Sequence, residues 1–170
     1  MTRPAARIHR GRPNRLQHSR TFALSHFRTV PMRAREILET CLYAEDLEAA
    51  ERFYTDVLGL ERITRVADRH VFFRCGGRVF LVFNPNETLE GGMVPGHGAT
   101  GPGHACFAVT EGELAGWREH LRARGVDVEQ EKEWPGGGRS IYFRDPAGNS
   151  IELGTPGIWR IADEETFGRR

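Results

Sequence analysis

Glu39, His104 and Glu152 are three side chains able to ligate a metal, each set inside a short apolar run rich in strand formers. An unpaired carboxylate in such a run carries a heavy desolvation penalty. A divalent cation removes that penalty and supplies a reason for the placement. Oxygen and imidazole donors suit Mg²⁺, Mn²⁺, Fe²⁺, Ni²⁺ or Zn²⁺, and three protein ligands leave positions open for water or a small-molecule substrate. Cys41 and Cys106 each follow a proposed ligand by two residues, so strand alternation turns both toward the same side as small lining residues. Tyr142 shares a strand face with Ser140 and is either a pocket residue or a core tyrosine. Trp134 precedes Pro135 and three glycines, a segment suited to a lid or to covering a sheet edge. His70 and His120 read as non-ligands, His97 as a solvated loop residue, and Arg139 and Arg144 as solvated strand-end residues.

These side chains need elements to hold them, and the pattern supplies them twice. Residues 37–44 read as a strand. Asp46 stands where an N-cap belongs, and Leu47, Ala50, Phe53, Tyr54, Val57 and Leu58 follow at helical spacing, with Gly59 as the stop. Three strand-like runs come next, at 61–67, 70–74 and 78–83, the last two joined by a Gly76-Gly77 turn. Residues 91–103 hold six glycines and two prolines and read as a linker, or as a loop over a site. The order then restarts: a strand at 104–109, a helix at 113–124 closed by Gly125, and strands at 126–132, 139–144 and 150–153. Asp145-Pro146-Ala147-Gly148 supplies strong turn chemistry between the last two.

Laid over each other, His70-Val71-Phe72-Phe73-Arg74 matches Ser140-Ile141-Tyr142-Phe143-Arg144, each running into a glycine turn, another strand and a proline. The pattern predicts an α+β fold of two βαβββ modules, residues 36–86 and 102–156, whose mixed sheet curls into a cup. The matched first-strand positions are Glu39 and His104, and the matched last-strand positions are Leu81 and Glu152. Four equivalent positions therefore carry three ligand-type side chains, which predicts an open site rather than a closed structural one.

The runs Leu38-Glu39-Thr40-Cys41-Leu42-Tyr43-Ala44, Gly103-His104 and Phe143-Arg144-Asp145-Pro146-Ala147-Gly148-Asn149-Ser150-Ile151-Glu152-Leu153 together resemble the vicinal oxygen chelate superfamily. That group includes glyoxalase I, fosfomycin-resistance thiol transferases, extradiol dioxygenases and metal-free bleomycin-binding proteins. The resemblance covers residues 36–156. It implies that Glu39, His104 and Glu152 hold a divalent metal that binds vicinal substrate oxygens, with Glu39 or Glu152 carrying a proton. It also implies that Tyr142 matches a pocket tyrosine and that the chain pairs as a homodimer. Two departures stand out: Leu81 occupies the place of a fourth ligand in glyoxalase I, and Glu39 the place of a histidine in the dioxygenases and fosfomycin transferases. The expected function is a metal-dependent lyase or isomerase. The alternatives are a metal-free binding or antibiotic-resistance protein and an extradiol-type dioxygenase.

Composition bounds these readings. No apolar run reaches the roughly 20 residues needed to span a bilayer. Cys41, Cys75 and Cys106 are an odd set without CxxC spacing, which points to a reducing, cytoplasmic setting. The net charge of +1 hides an asymmetry, because residues 1–35 hold nine arginines and no acid. The remaining 15 basic and 23 acidic side chains give residues 36–170 a balance of −8, which repels nucleic-acid backbones. Residues 1–35 read as a disordered basic extension, with a translation start at Met32 as an alternative reading, and residues 157–170 as a tail.

Overall fold

The Asp46 carboxylate accepts a hydrogen bond from the Ala49 amide at 2.8 Å and so starts α1 (Leu47–Asp56), which buries Leu47, Ala50, Phe53 and Tyr54. Gly59, at φ +67°, takes the left-handed conformation that turns the chain out of this helix. A strand precedes the helix, β1 (Glu39–Tyr43), and three follow it: β2 (Glu61–Val66), β3 (His70–Cys75) and β4 (Arg78–Phe83). They form a sheet ordered β1-β4-β3-β2, with β1 parallel to β4. A short helix, α2 (Pro85–Thr88), capped by the Asn84 side chain, leads into the glycine-rich segment.

The computed structural model describes residues 32–168, so nearly all of the basic extension expected at 1–35 lies outside them. The second half repeats the first. It runs β5 (His104–Ala108), a 3-10 turn (Glu111–Glu113), α3 (Leu114–Ala123), β6 (Gln130–Glu133), β7 (Arg139–Arg144) and β8 (Ser150–Gly154). Its sheet is ordered β5-β8-β7-β6, the same order as the first, again with the outer pair parallel. The fold is therefore α+β, two βαβββ modules with open, curled four-stranded sheets, as the repeat predicts.

One core serves both modules, with Tyr54, Phe73, Phe80, Leu121, Phe143 and Ile151 all fully buried. Phe80 meets Phe107 edge-on at 5.1 Å, which places Phe107 on the core side of β5, opposite His104. Hydrogen bonds cross between modules as well: His120 Nε2 lies 2.9 Å from the Val57 carbonyl, and Asn149 Nδ2 donates to the Tyr43 carbonyl at 3.1 Å. After β8 the chain forms a 3-10 turn (Pro156–Trp159) and a short helix, α4 (Asp163–Phe167). No helix among the described residues is long and apolar enough to cross a membrane.

Candidate metal centre

β5 and β8 run in parallel register, His104 beside Ser150 and Cys106 beside Glu152. β7 continues the surface, with Tyr142 opposite Glu152 and Ser140 opposite Gly154. Alternation thus brings His104, Cys106, Ser140, Tyr142 and Glu152 onto one face of the second sheet.

His104 Nδ1 lies 3.0 Å from the Ser150 carbonyl oxygen. A carbonyl only accepts, so Nδ1 carries a proton, and in the neutral form of the ring Nε2 presents its lone pair. That nitrogen sits 3.3 Å from Glu152 Oε2. Two electron-pair donors facing each other at this distance call for a cation or a proton between them. Glu152 is only 5% exposed, which makes the uncompensated charge costly. The pair therefore fits a divalent cation, and the His104 bond to a backbone carbonyl is the kind of outer contact that orients a metal-ligating imidazole.

The other oxygen of Glu152 is occupied. Ser140, itself 1% exposed, donates its hydroxyl to Glu152 Oε1, and Trp134 Nε1 donates to Ser140 Oγ at 2.9 Å. The Tyr142 ring stacks near His104, with centroids 6.4 Å apart. Burial pushes the Tyr142 phenol above its ordinary range, with the Glu152 carboxylate adding to the rise and Ser140 opposing it. The Cys106 thiol is pushed up to about 12, first by burial and then by Glu152, although the residue still reaches solvent. A Cβ at Gly154 would lie 2.7 Å from Cys106 Sγ and 3.3 Å from Glu152 Oε1, so glycine keeps this cradle open. Cys41, Cys75 and Cys106 are all free.

The first module carries the matching register without the matching chemistry. Cys41 pairs with Leu81 as Cys106 pairs with Glu152. Glu39 is exposed at the start of β1 and makes no ion pair among the described residues. Glu39 and His104 both line a cavity of about 390 Å³, yet among the described residues no three His, Cys, Asp or Glu side chains gather closely enough to hold a metal. The fold thus brings His104 and Glu152 within 3.3 Å of each other, while Glu39 lines a cavity with His104 without joining a three-residue cluster.

His97 differs from its reading as a solvated loop residue. It is half-buried, shares a 2.9 Å hydrogen bond with Tyr43 Oη and meets the Phe83 ring edge-on at 4.6 Å. The glycines around it hide this tertiary contact from sequence inspection. With Glu39, Phe72 and Leu81 it lines a cavity of about 800 Å³ over the first sheet. The Tyr43 phenol there is raised to about 12 by burial and by the Cys41 thiol. Arg139 and Arg144 are paired with Glu133 at 2.7 Å and Glu129 at 2.9 Å rather than offered to an anion.

Residues 36–153 match the family model described as the Glyoxalase/Bleomycin resistance protein/Dioxygenase superfamily. The chain belongs to this superfamily. A crystal structure of a lactoylglutathione lyase from Agrobacterium tumefaciens superimposes with a TM-score of 0.74 at 42% identity, covering 76% of this chain and 100% of that one. The metallothiol transferase FosB of Bacillus licheniformis is 28% identical over 115 residues, 67% of this chain and 71% of that protein. MhqE of Bacillus subtilis, named as a candidate ring-cleaving dioxygenase, is 30% identical over 114 residues, 61% of this chain but only 35% of that protein. The superfamily is one of enzymes for the most part, and the relatives span three reaction types on one fold.

Proposed function

We propose that the chain is a metal-dependent lyase or isomerase of the glyoxalase type, which binds vicinal oxygens of a small substrate at a centre held by His104 and Glu152, with Glu39 contributed by a second copy of the chain. The observation that carries this reading is the facing of His104 Nε2 and Glu152 Oε2 at 3.3 Å, with the imidazole tautomer set by the Ser150 carbonyl. The 42% relative named as a lactoylglutathione lyase favours this reaction class over thiol transfer and ring cleavage. When bound, a divalent cation supplies Lewis-acid stabilisation of negative charge on substrate oxygens.

The chain's own groups divide the remaining work. Glu152 is fixed by Ser140 and serves as a ligand. Glu39 is exposed and unpaired among the described residues, which suits both a ligand contributed across a subunit boundary and a proton carrier. Tyr142, stacked near His104, is placed to hold substrate beside the centre. A homodimer completes the site in this reading.

Elemental analysis of the full chain, purified without added metal and again after loading, tests the proposal. Bound metal in the wild type and its loss in Glu152→Gln are the expected results, with glyoxalase-type turnover lost in parallel. A wild-type chain that neither carries nor takes up metal would overturn the reading. Retention of full occupancy by Glu152→Gln would remove Glu152 from the ligand set.

A further inference from the structure

We propose that Ser140 and Trp134 are positioning residues for Glu152, selecting which carboxylate oxygen is offered to His104 and coupling the β6–β7 loop to the state of the centre. The inference rests on the metal-centre reading above and extends it to the two side chains hydrogen-bonded in series to Glu152.

The direction of each hydrogen bond follows from chemistry alone. An indole nitrogen can only donate, so Ser140 Oγ accepts from Trp134 Nε1 at 2.9 Å. With its acceptor side engaged, the serine hydroxyl directs its single proton to Glu152 Oε1. That carboxylate oxygen is thereby held, and Oε2 is the one left facing His104 Nε2 at 3.3 Å. The chain of donors runs one way, from the indole to the carboxylate, and successive bonds in such a chain polarise one another. Ser140 is fully buried, so water cannot substitute for either partner.

The repeat supplies an internal control. Ser140 lies opposite Gly154 in the second module, and the matching pair in the first is His70 opposite Phe83. Leu81 there takes the place of Glu152. The module without the carboxylate also lacks the serine, as expected if the hydroxyl is present to hold that carboxylate.

Trp134 is itself held. Its amide donates to the Gly138 carbonyl at 3.1 Å, and its carbonyl accepts from Gly137 at 2.9 Å. Gly138, at φ +81°, packs so closely that a Cβ would come within 2.4 Å of the Ile158 amide nitrogen. The loop is thus seated on the 3-10 turn that follows β8, and the indole reaches from it to the hydroxyl beside Glu152. Trp134 remains 40% exposed, so the loop side of this linkage faces solvent.

Mn²⁺ and Zn²⁺ titrations by calorimetry test the proposal on the full chain. Ser140→Ala should weaken metal binding by about 10–100-fold, the range seen for outer-shell partners of ligands. Ser140→Thr should restore affinity to within about threefold, and Trp134→Phe, which keeps the ring and loses only the N–H, should cost about three- to tenfold. In a Trp117→Phe/Trp159→Phe background, Trp134 is the sole indole. Its emission should shift on metal addition, and that shift should vanish when Ser140→Ala is added. Wild-type affinity in Ser140→Ala together with an unchanged emission response would overturn the positioning role while leaving the metal centre intact. A wild-type chain that binds neither metal would instead defeat the metal-centre reading, and this inference with it. Should Ser140→Ala fail to fold, Trp134→Phe at its half-exposed position decides the matter: undiminished affinity there overturns the proposal.

Discussion

The phenol of Tyr54, in the first module, donates at 2.8 Å to the buried carboxylate of Asp145, in the turn between β7 and β8 of the second. Asp145 Oδ1 accepts from the Ala147 and Asn149 amides at 3.0 and 2.8 Å, and Oδ2 also accepts from Asn149 Nδ2 at 2.8 Å. The carboxylate that shapes the turn is therefore also the anchor to the other module. Because that turn sets where β8 begins, it sets the position of Glu152 as well.

Tyr54→Phe should destabilise the chain by about 1–2 kcal/mol, since it leaves a buried carboxylate short of one donor without creating a cavity. Asp145→Ala strips partners from Tyr54, two amides and Asn149 together, and should cost about 3 kcal/mol or more. Urea unfolding measures both. A neutral Tyr54→Phe would show that the inter-module bond adds nothing beyond packing.

Alkaline pH should unfold the chain through its tyrosines. There are three, and burial raises all of them: Tyr43 to about 12, and Tyr54 and Tyr142 above their ordinary range, Tyr54 with help from Asp145. A folded pKa above the unfolded value of 10 means stability that is present below pH 10 and lost as pH rises beyond it. Absorbance at 295 nm should show the native titration displaced upward from that in guanidinium, with circular dichroism lost as tyrosinate appears. Ordinary titration near pH 10 with the fold intact would contradict this.

His70 should make the opposite contribution in acid. Burial lowers its pKa, the neighbouring Arg69 lowers it further, and its ring stacks on Phe72 at 4.0 Å. Protons therefore prefer the unfolded chain, so stability is present above about pH 6.5 and declines as pH falls below it. The fall in Tm between pH 7 and pH 5 should be shallower in His70→Gln. An unchanged slope would assign the acid sensitivity to other groups.

The repeat was legible because module-internal contacts are local in pattern: β3 and β7 carry the matched apolar runs, and Asp46 caps α1 as its position implies. Where sequence reading departs from the structure, a tertiary or edge effect is at work. The strand expected over 126–132 forms only as Gln130–Glu133, because the Val126 amide is taken by the Leu121 carbonyl to close α3. The short α2 was hidden in Asn84-Pro85, which reads as a strand end and acts as a helix start. Equivalence between modules placed Glu39 on its own strand, where it stands exposed at the start of β1.

The exposed position of Glu39, without an ion pair among the described residues, leads to a complementation test of the proposed dimer. If each centre takes Glu39 from one subunit and His104 and Glu152 from its partner, a mixed dimer of Glu39→Ala and Glu152→Ala chains holds one intact site and one doubly broken site. With two tags and co-expression, random pairing should restore roughly a quarter of the wild-type metal content and activity, although each variant alone has neither. If all three ligands came from one chain, every site in the mixture would lack one of them and nothing would be restored. No recovery from a confirmed heterodimer would therefore return Glu39 to the same chain as Glu152, or remove it from the centre. Recovery near a quarter would explain why a carboxylate exposed, and unpaired among the described residues, at the edge of one sheet matches the histidine of the other.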